Sequence, residues 1–168
     1  MKKVFLILCI ALSSISVFAQ EKGVKSVGAH LLLDLDGSNI GVGVKGRYGF
    51  TDVIRGEASF NYFLKNDLVS SWDINANAHY LFPLSDTFTA YPLAGLTYSN
   101  ITVDGVSATV LGQTISTGSF SKGYFGLNLG GGVDYKLTDQ FSLNAEGKYQ
   151  IINGYSGLVL SAGIVYKF

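Results

Sequence analysis

From residue 24 to the end of the chain, apolar and polar side chains alternate with a period of two, the repeat of a strand whose two faces meet different surroundings. The clearest run is 141–151. Phe141, Leu143, Ala145, Gly147, Tyr149 and Ile151 fall on one face, and Ser142, Asn144, Glu146, Lys148 and Gln150 on the other. Leu158, Leu160, Ala162, Ile164, Tyr166 and Phe168 likewise oppose Ser161, Gly163 and Lys167. In the same way Trp72, Ile74, Ala76, Ala78, Tyr80 and Phe82 oppose Asp73, Asn75, Asn77 and His79. The pattern predicts strands at 24–34, 40–49, 53–63, 71–82, 87–98, 122–136, 141–151 and 157–168. Most are about ten residues long, the length a tilted strand needs to cross a bilayer.

The connections alternate in character. Those near 50–52, 83–86 and 137–140 are tight, whereas those near 35–39, 64–70, 99–121 and 152–156 include the longest and most polar segments. Short turns at one end and long loops at the other fit an up-and-down barrel with both termini at the short-turn end. The tight turns repeat a pattern of aromatic, apolar, then hydroxyl and Asp: 48–52, 80–86 and 135–139. Hydroxyl and carboxylate side chains can bond nearby backbone, so both are candidate turn formers. Segment 99–121 is rich in Thr, Ser, Gly and Val, with Asp104-Gly105 as a tight turn. It is either a solvated loop, a protruding hairpin, or an extra strand pair that would raise eight strands to ten.

Alternation alone does not say which face is inside. Aromatics decide it. Tyr48, Phe50, Tyr80, Phe82, Phe88, Tyr135, Phe141, Tyr166 and Phe168 lie on the apolar face at the short-turn end, and Tyr62, Trp72, Tyr98 and Tyr155 at the other. Between them that face is aliphatic or small: Val42, Val44, Ala58, Ala76, Ala78, Leu127, Leu129, Ala145 and Ala162. Two aromatic girdles around an apolar band are what a bilayer selects. The polar face mixes charge with Gly41, Gly43, Gly126, Gly130, Gly132 and Gly163, as a lumen only just wide enough for side chains requires. The soluble alternative, a lipocalin-like barrel, would need the aromatic face as its core while Lys45, Arg47, Glu57 and Lys148 met water.

Composition agrees with an all-β chain. Of 168 residues, 48% are hydrophobic and 13% aromatic, with 21 Gly and only 2 Pro. Twelve basic residues balance 12 acidic ones, which leaves no field for nucleic acid. The first residues read as an export signal: Lys2 and Lys3, an apolar core from Val4 to Leu12, and a small-residue-rich stretch ending in Ala19. Cleavage is expected between Ala19 and Gln20, giving a domain organisation of signal peptide 1–19 and barrel 20–168. Cys9, the one cysteine, lies in the apolar core of the signal, so the mature barrel is expected to lack disulfides and thiol chemistry.

These features together resemble the OmpA/OmpX-like family of small outer-membrane β-barrels, often called porin-like. The likeness rests on the signal peptide, the Tyr-x-Phe/Leu-Thr-Asp turns and the final Tyr166-Lys-Phe168. It implies a bacterial outer-membrane location with both termini periplasmic and membrane lipid around the barrel. It also implies that the barrel-assembly machinery reads Tyr166 and Phe168. No wall-binding domain is read downstream of the barrel, so a tether to the cell wall is not expected.

Several motifs carry candidate chemistry. Gly41 to Gly46 matches G-x-G-x-x-G, but a dinucleotide site needs a helix after it, and here the strand pattern continues to Tyr48. Asp34, Asp36 and Gly37 have calcium-like spacing but lack the later glycine and bidentate Glu of a calcium loop. His30 and His79 both face the lumen by parity, near opposite ends. A lipid A-modifying enzyme would need a nucleophile such as Ser59, and a carboxylate such as Asp73, beside one of them. The most suggestive set is the interior charge: Lys45, Arg47, Arg55, Glu57, Asp73, Asp134, Lys136, Glu146, Lys148 and Lys167. Opposite signs on neighbouring strands can neutralise each other away from water, as a plug, or line an ion path. The expectation is a non-enzymatic barrel with no cofactor or metal and a largely plugged lumen. Its role is structural, with surface interaction through 99–121; the alternative is a narrow channel for ions or small solutes.

Overall fold

The computed structural model describes residues 21–66, 69–105, 107–110, 113–116, 118–153 and 155–168. The expected signal peptide, its expected cleavage between Ala19 and Gln20, and Cys9 lie outside the described residues. The strands are β1 (Lys25–Asp34), β2 (Asn39–Gly49), β3 (Ile54–Asn66), β4 (Val69–Tyr80), β5 (Phe82–Pro83), β6 (Phe88–Val103), β7 (Ser107–Val110), β8 (Gln113–Ser116), β9 (Phe120–Lys136), β10 (Phe141–Ile152) and β11 (Tyr155–Lys167). Eight of them form a closed, all-antiparallel barrel. Neighbours run β4-β3-β2-β1-β11-β10-β9-β6, and β6 returns to β4. The closing seam pairs β1 with β11 from Ser26 opposite Lys167 to Asp34 opposite Val159.

The expected faces are the observed ones. Leu31, Val44 and Leu96 point outward and are 64%, 58% and 61% exposed, a distribution that removes the soluble alternative, in which this face would be the core. At the end that carries the termini, outward rings meet in pairs: Tyr48 with Phe50 at 5.1 Å, Tyr80 with Phe82 at 4.8 Å, and Phe141 with Tyr166 at 5.1 Å. At the loop end Phe60, Trp72, Tyr98 and Phe125 form a continuous outward chain, with ring centroids 6.0, 5.8 and 4.9 Å apart. Phe60 and Phe125 join the girdle beyond the expected set, in the same cross-strand row as Tyr98. The side chain of Tyr155 lies outside the described residues.

Three differences from the sequence reading have physical causes. First, β6 and β9 are 16 and 17 residues long, since their pairing continues to Val103 opposite Phe120, well past the ring. Much of 99–121 is therefore the protruding hairpin. Second, β7 and β8 pair only with each other, in a separate sheet, so the barrel does not reach ten strands. Third, the hydroxyl rather than the Asp builds the tight turns. Thr51 Oγ1 accepts from Ile54 N at 2.9 Å, Ser85 Oγ from Phe88 N at 3.1 Å, and Thr138 Oγ1 from Phe141 N at 3.0 Å. The neighbouring Asp139 instead meets Lys136 at 2.7 Å, and that contact holds its carboxyl below the usual range.

The calcium-like carboxylates also have a structural task. Asp36 Oδ2 accepts from Leu158 N at 2.7 Å and Asp34 Oδ1 accepts from Asp36 N at 3.2 Å, so this loop is sewn to β11 beside the seam. At the other end of the seam Lys167 meets Glu21 at 2.7 Å.

The turn assignment makes a direct prediction. Thr138→Val leaves two backbone N–H groups without their acceptor and is expected to cost about 1 kcal/mol in urea unfolding of the refolded barrel. Asp139→Asn is expected to change the midpoint much less. The reverse ranking would restore the Asp as the turn former.

Candidate functional site: the charged interior

The inward positions of β2, β3, β9 and β10 bring charges from distant parts of the chain to one level. Arg47 is the hub. Its Nε donates to Glu57 Oε2 at 2.7 Å, Nη1 to Asp134 Oδ1 at 3.1 Å, and Nη2 to Glu146 Oε1 at 2.6 Å. Arg55 Nη1 donates to the other Asp134 oxygen at 2.8 Å. Lys45 Nζ bridges Glu146 at 2.9 Å and Glu57 at 3.4 Å. It also donates to Asn144 Oδ1 at 2.9 Å. Each carboxylate thus faces more than one cation, which is the condition for burying charge without a large uncompensated cost.

Tyr91 of β6 organises this level and was missed by the sequence reading. Its hydroxyl donates to Glu146 Oε1 at 2.7 Å and accepts from Asn144 Nδ2 at 2.7 Å. The Arg55 guanidinium lies 4.8 Å from its ring centroid, and the His79 ring stacks on it at 4.5 Å. Gly132 stands opposite: a Cβ there would come within 2.6 Å of the Tyr91 hydroxyl. The missed signal is the parity of Tyr91, Leu93, Thr97 and Ser99. It is blurred because both faces of β6 carry apolar residues near Tyr91.

Closer to the loop end, the charges give way to amides. Asp73 Oδ1 accepts from Asn61 at 2.7 Å and from Asn75 at 2.6 Å, and Oδ2 from Gln150 at 3.3 Å. Asn128 donates to the side-chain oxygens of Asn75 and Asn77, both at 2.9 Å. Lys148 is buried as well, within the field of the Asp73 and Glu146 carboxylates. Leu32, Phe63 and Val159 then form a buried apolar cluster. Near the termini, a cavity of about 290 Å³ is lined by Asp134, Lys136, Ser142 and Lys167 among others, and so reaches the edge of the charge cluster.

Of the ten charges expected inside, eight are buried: Lys45, Arg47, Arg55 and Lys148 against Glu57, Asp73, Asp134 and Glu146, four of each sign. Lys136 and Lys167 have inward parity but sit at the rim, paired with Asp139 and Glu21, where the strands leave the ring. His30 and His79 are held apart in role. His30 Nε2 meets Asn61 Oδ1 at 2.8 Å, while His79 Nδ1 faces Arg55 at 3.3 Å. Ser59 receives a bond from Asn75, and Asp73 accepts from Asn61 and Asn75; among the described residues neither is hydrogen-bonded to a histidine. Glu57, His79 and Glu146 offer ligand atoms within 4.8 Å of one another. Lys45 and Arg47 already hold both carboxylates, so a metal ion would have to displace them.

Comparisons place this geometry among known proteins. The model of the outer membrane protein beta-barrel domain matches residues 5–168. The N-terminal β-barrel domain of Pseudomonas aeruginosa OprF is similar, with a TM-score of 0.69 at 18% identity over 89% of this chain and 100% of that one. Neisserial surface protein A has a TM-score of 0.62 at 22% identity, over 86% of this chain and 96% of that one. Yersinia pestis Ail has 0.59 at 18% identity, over 88% and 99%. No curated protein matches the chain. These structures share the fold, and the family match spans nearly the whole sequence: the chain belongs to the outer membrane protein beta-barrel domain family.

Proposed function

We propose that this protein is a non-enzymatic structural barrel of the bacterial outer membrane, closed to solutes, that presents its long hairpin at the cell surface. Both termini lie in the periplasm in this reading. Membrane lipid surrounds the girdled face, and the assembly machinery reads Tyr166 and Phe168. The observation that carries it is the buried charge network, in which Arg55 is 3% exposed and Lys45, Arg47 and Glu57 5% each. An ion path needs water or mobile charge along its length, whereas these groups are committed to one another at 2.6–3.4 Å. The apolar cluster of Leu32, Phe63 and Val159 adds a stretch that disfavours water. A narrow pore is the second reading, and the cavity that reaches Asp134 from the terminal end is the feature in its favour.

Single-channel recording separates the two. The refolded protein in a planar bilayer is expected to insert without discrete conductance steps, and charge reversal at Lys45 or Glu57 is expected to add none. Reproducible steps whose selectivity follows those substitutions would establish the pore.

A closed body also predicts where the charges act. Arg47→Met strands Glu57, Asp134 and Glu146 with too few cations, and is expected to destabilise the barrel by about 3–5 kcal/mol in urea unfolding. Lys136→Met, at the rim, is expected to change stability by less than about 1 kcal/mol. Equal effects would mean that the interior network is not what holds the barrel shut.

A further inference from the structure

The cavity at the terminal end is walled by several elements at once. Its floor includes the inward face of β9, where Asp134 and Lys136 stand two residues apart. Directly paired residues of antiparallel strands point to the same face. Thr89 of β6 lies opposite Asp134, and Ser142 of β10 lies opposite Lys136, so both hydroxyls flank β9 on the inward side. The turn between β5 and β6 closes one wall. There Thr87 O accepts from Lys136 N at 2.7 Å, which brings Ser85 and Asp86 into the lining. The two ends of the barrel complete it with Glu21, Val24, Lys167 and Phe168. At about 290 Å³ the cavity lies at the small end of the range for small-molecule sites.

Most of the charge in these walls is already answered. Asp134 is held by Arg47 and Arg55, Lys136 meets Asp139, and Lys167 meets Glu21. Two groups are left over. Among the described residues, the exposed Asp86 carboxylate has no ion pair or hydrogen bond. Ser142 is 3% exposed and lines the cavity, yet its hydroxyl has no partner among the described residues. A buried hydroxyl left unpaired is costly, so a ligand that supplies its partner gains by it. One uncompensated carboxylate calls for one positive charge. A divalent metal ion needs several oxygen ligands, and the other carboxylates are committed to Arg or Lys. An ammonium needs only one carboxylate. Val24, Pro83 and Phe168 add apolar wall, which suits a carbon body better than a hydrated inorganic cation.

We propose that this cavity binds a small primary amine with a hydroxyl at its far end. The ammonium meets Asp86, the short carbon body lies against Pro83 and Phe168, and the far hydroxyl bonds Ser142 Oγ. The charge of Asp86 selects for the amine, and Ser142 selects for its polar tail. The site is separate from the structural role argued above; only the periplasm as the source of the amine rests on the orientation proposed there.

The test uses the purified protein in nanodiscs with a five-carbon amino alcohol, and the diol and hydroxy acid of the same length. Backbone NMR signals of 85–89 and 142 are expected to shift saturably with the amino alcohol. Its affinity is expected to exceed that of either analogue by about tenfold, as a charge-assisted hydrogen bond allows. Asp86→Asn is expected to abolish that preference and leave diol binding unchanged. The turn survives this change, because Ser85 Oγ rather than Asp86 accepts from Thr87 N and Phe88 N. Ser142→Ala is expected to weaken the amino alcohol about threefold but not pentylamine, which lacks the far hydroxyl; a misfolded variant would lose both alike. No saturable shift, or a diol bound as tightly, overturns the site. Preference for the hydroxy acid overturns the cationic ligand and gives the cavity to Lys136 and Lys167. Equal effects of Ser142→Ala on both amines overturn the placing of the far end.

Discussion

Hydrocarbon offers no hydrogen bonds, so a strand inside a bilayer must satisfy its backbone against other strands on both sides. Only a ring does this for a sheet, and here the ring closes where β1 meets β11. Closure then determines almost everything about side chains. With a period of two, every second residue is turned into a lumen narrow enough for side chains to fill, and the rest is turned to lipid. Polar groups placed inside have little water to solvate them and must find one another. The interior network follows from the closed ring and its small bore.

Making those contacts needs room as well as charge. Gly132 leaves space for Tyr91, and Gly43 and Gly163 flank His30 so closely that a Cβ at either would collide with the imidazole or its backbone. The glycines thus act as holes cut in the lumen wall for particular large neighbours. This is why the G-x-G-x-x-G match in β2 has no phosphate-binding meaning. Gly41 and Gly43 face inward beneath Phe63 and Asn61, and Gly46 faces outward.

The sequence shows the strands, their faces and the balance of charge, because parity and burial coincide wherever a strand lies within the ring. It fails where they part. Lys136 and Lys167 have the right parity but stand at the rim, which alternation cannot see. Tyr91 has inward parity on a strand with apolar residues on both faces, so nothing in the pattern marks it as a hub. The reach of β6 and β9 depends on pairing between residues at least 17 positions apart, and Thr-rich segments read equally well as loop or strand. At the turns, Thr and Asp are adjacent and equally able to cap. The choice between them is geometric, set by which oxygen meets Ile54 N or Phe141 N.

The charges resolve an ambiguity that hydrophobic alternation leaves open. A slip of one residue between strands would turn Lys45, Arg47, Arg55 and their partners toward lipid, so alternation alone forbids it. A slip of two residues preserves both faces and would satisfy the same pattern. It would, however, move Arg47 away from Glu57, its direct partner across β2 and β3, and carry Asn144 away from Asp134 across β10 and β9. Contacts between groups 87 and 101 positions apart, Arg47 with Asp134 and Lys45 with Glu146, extend the same constraint across the lumen to strands that do not touch. Buried ion pairs add little net stability over a well-packed apolar core but are costly to break. That asymmetry suits a device that penalises the wrong register more than it rewards the right one.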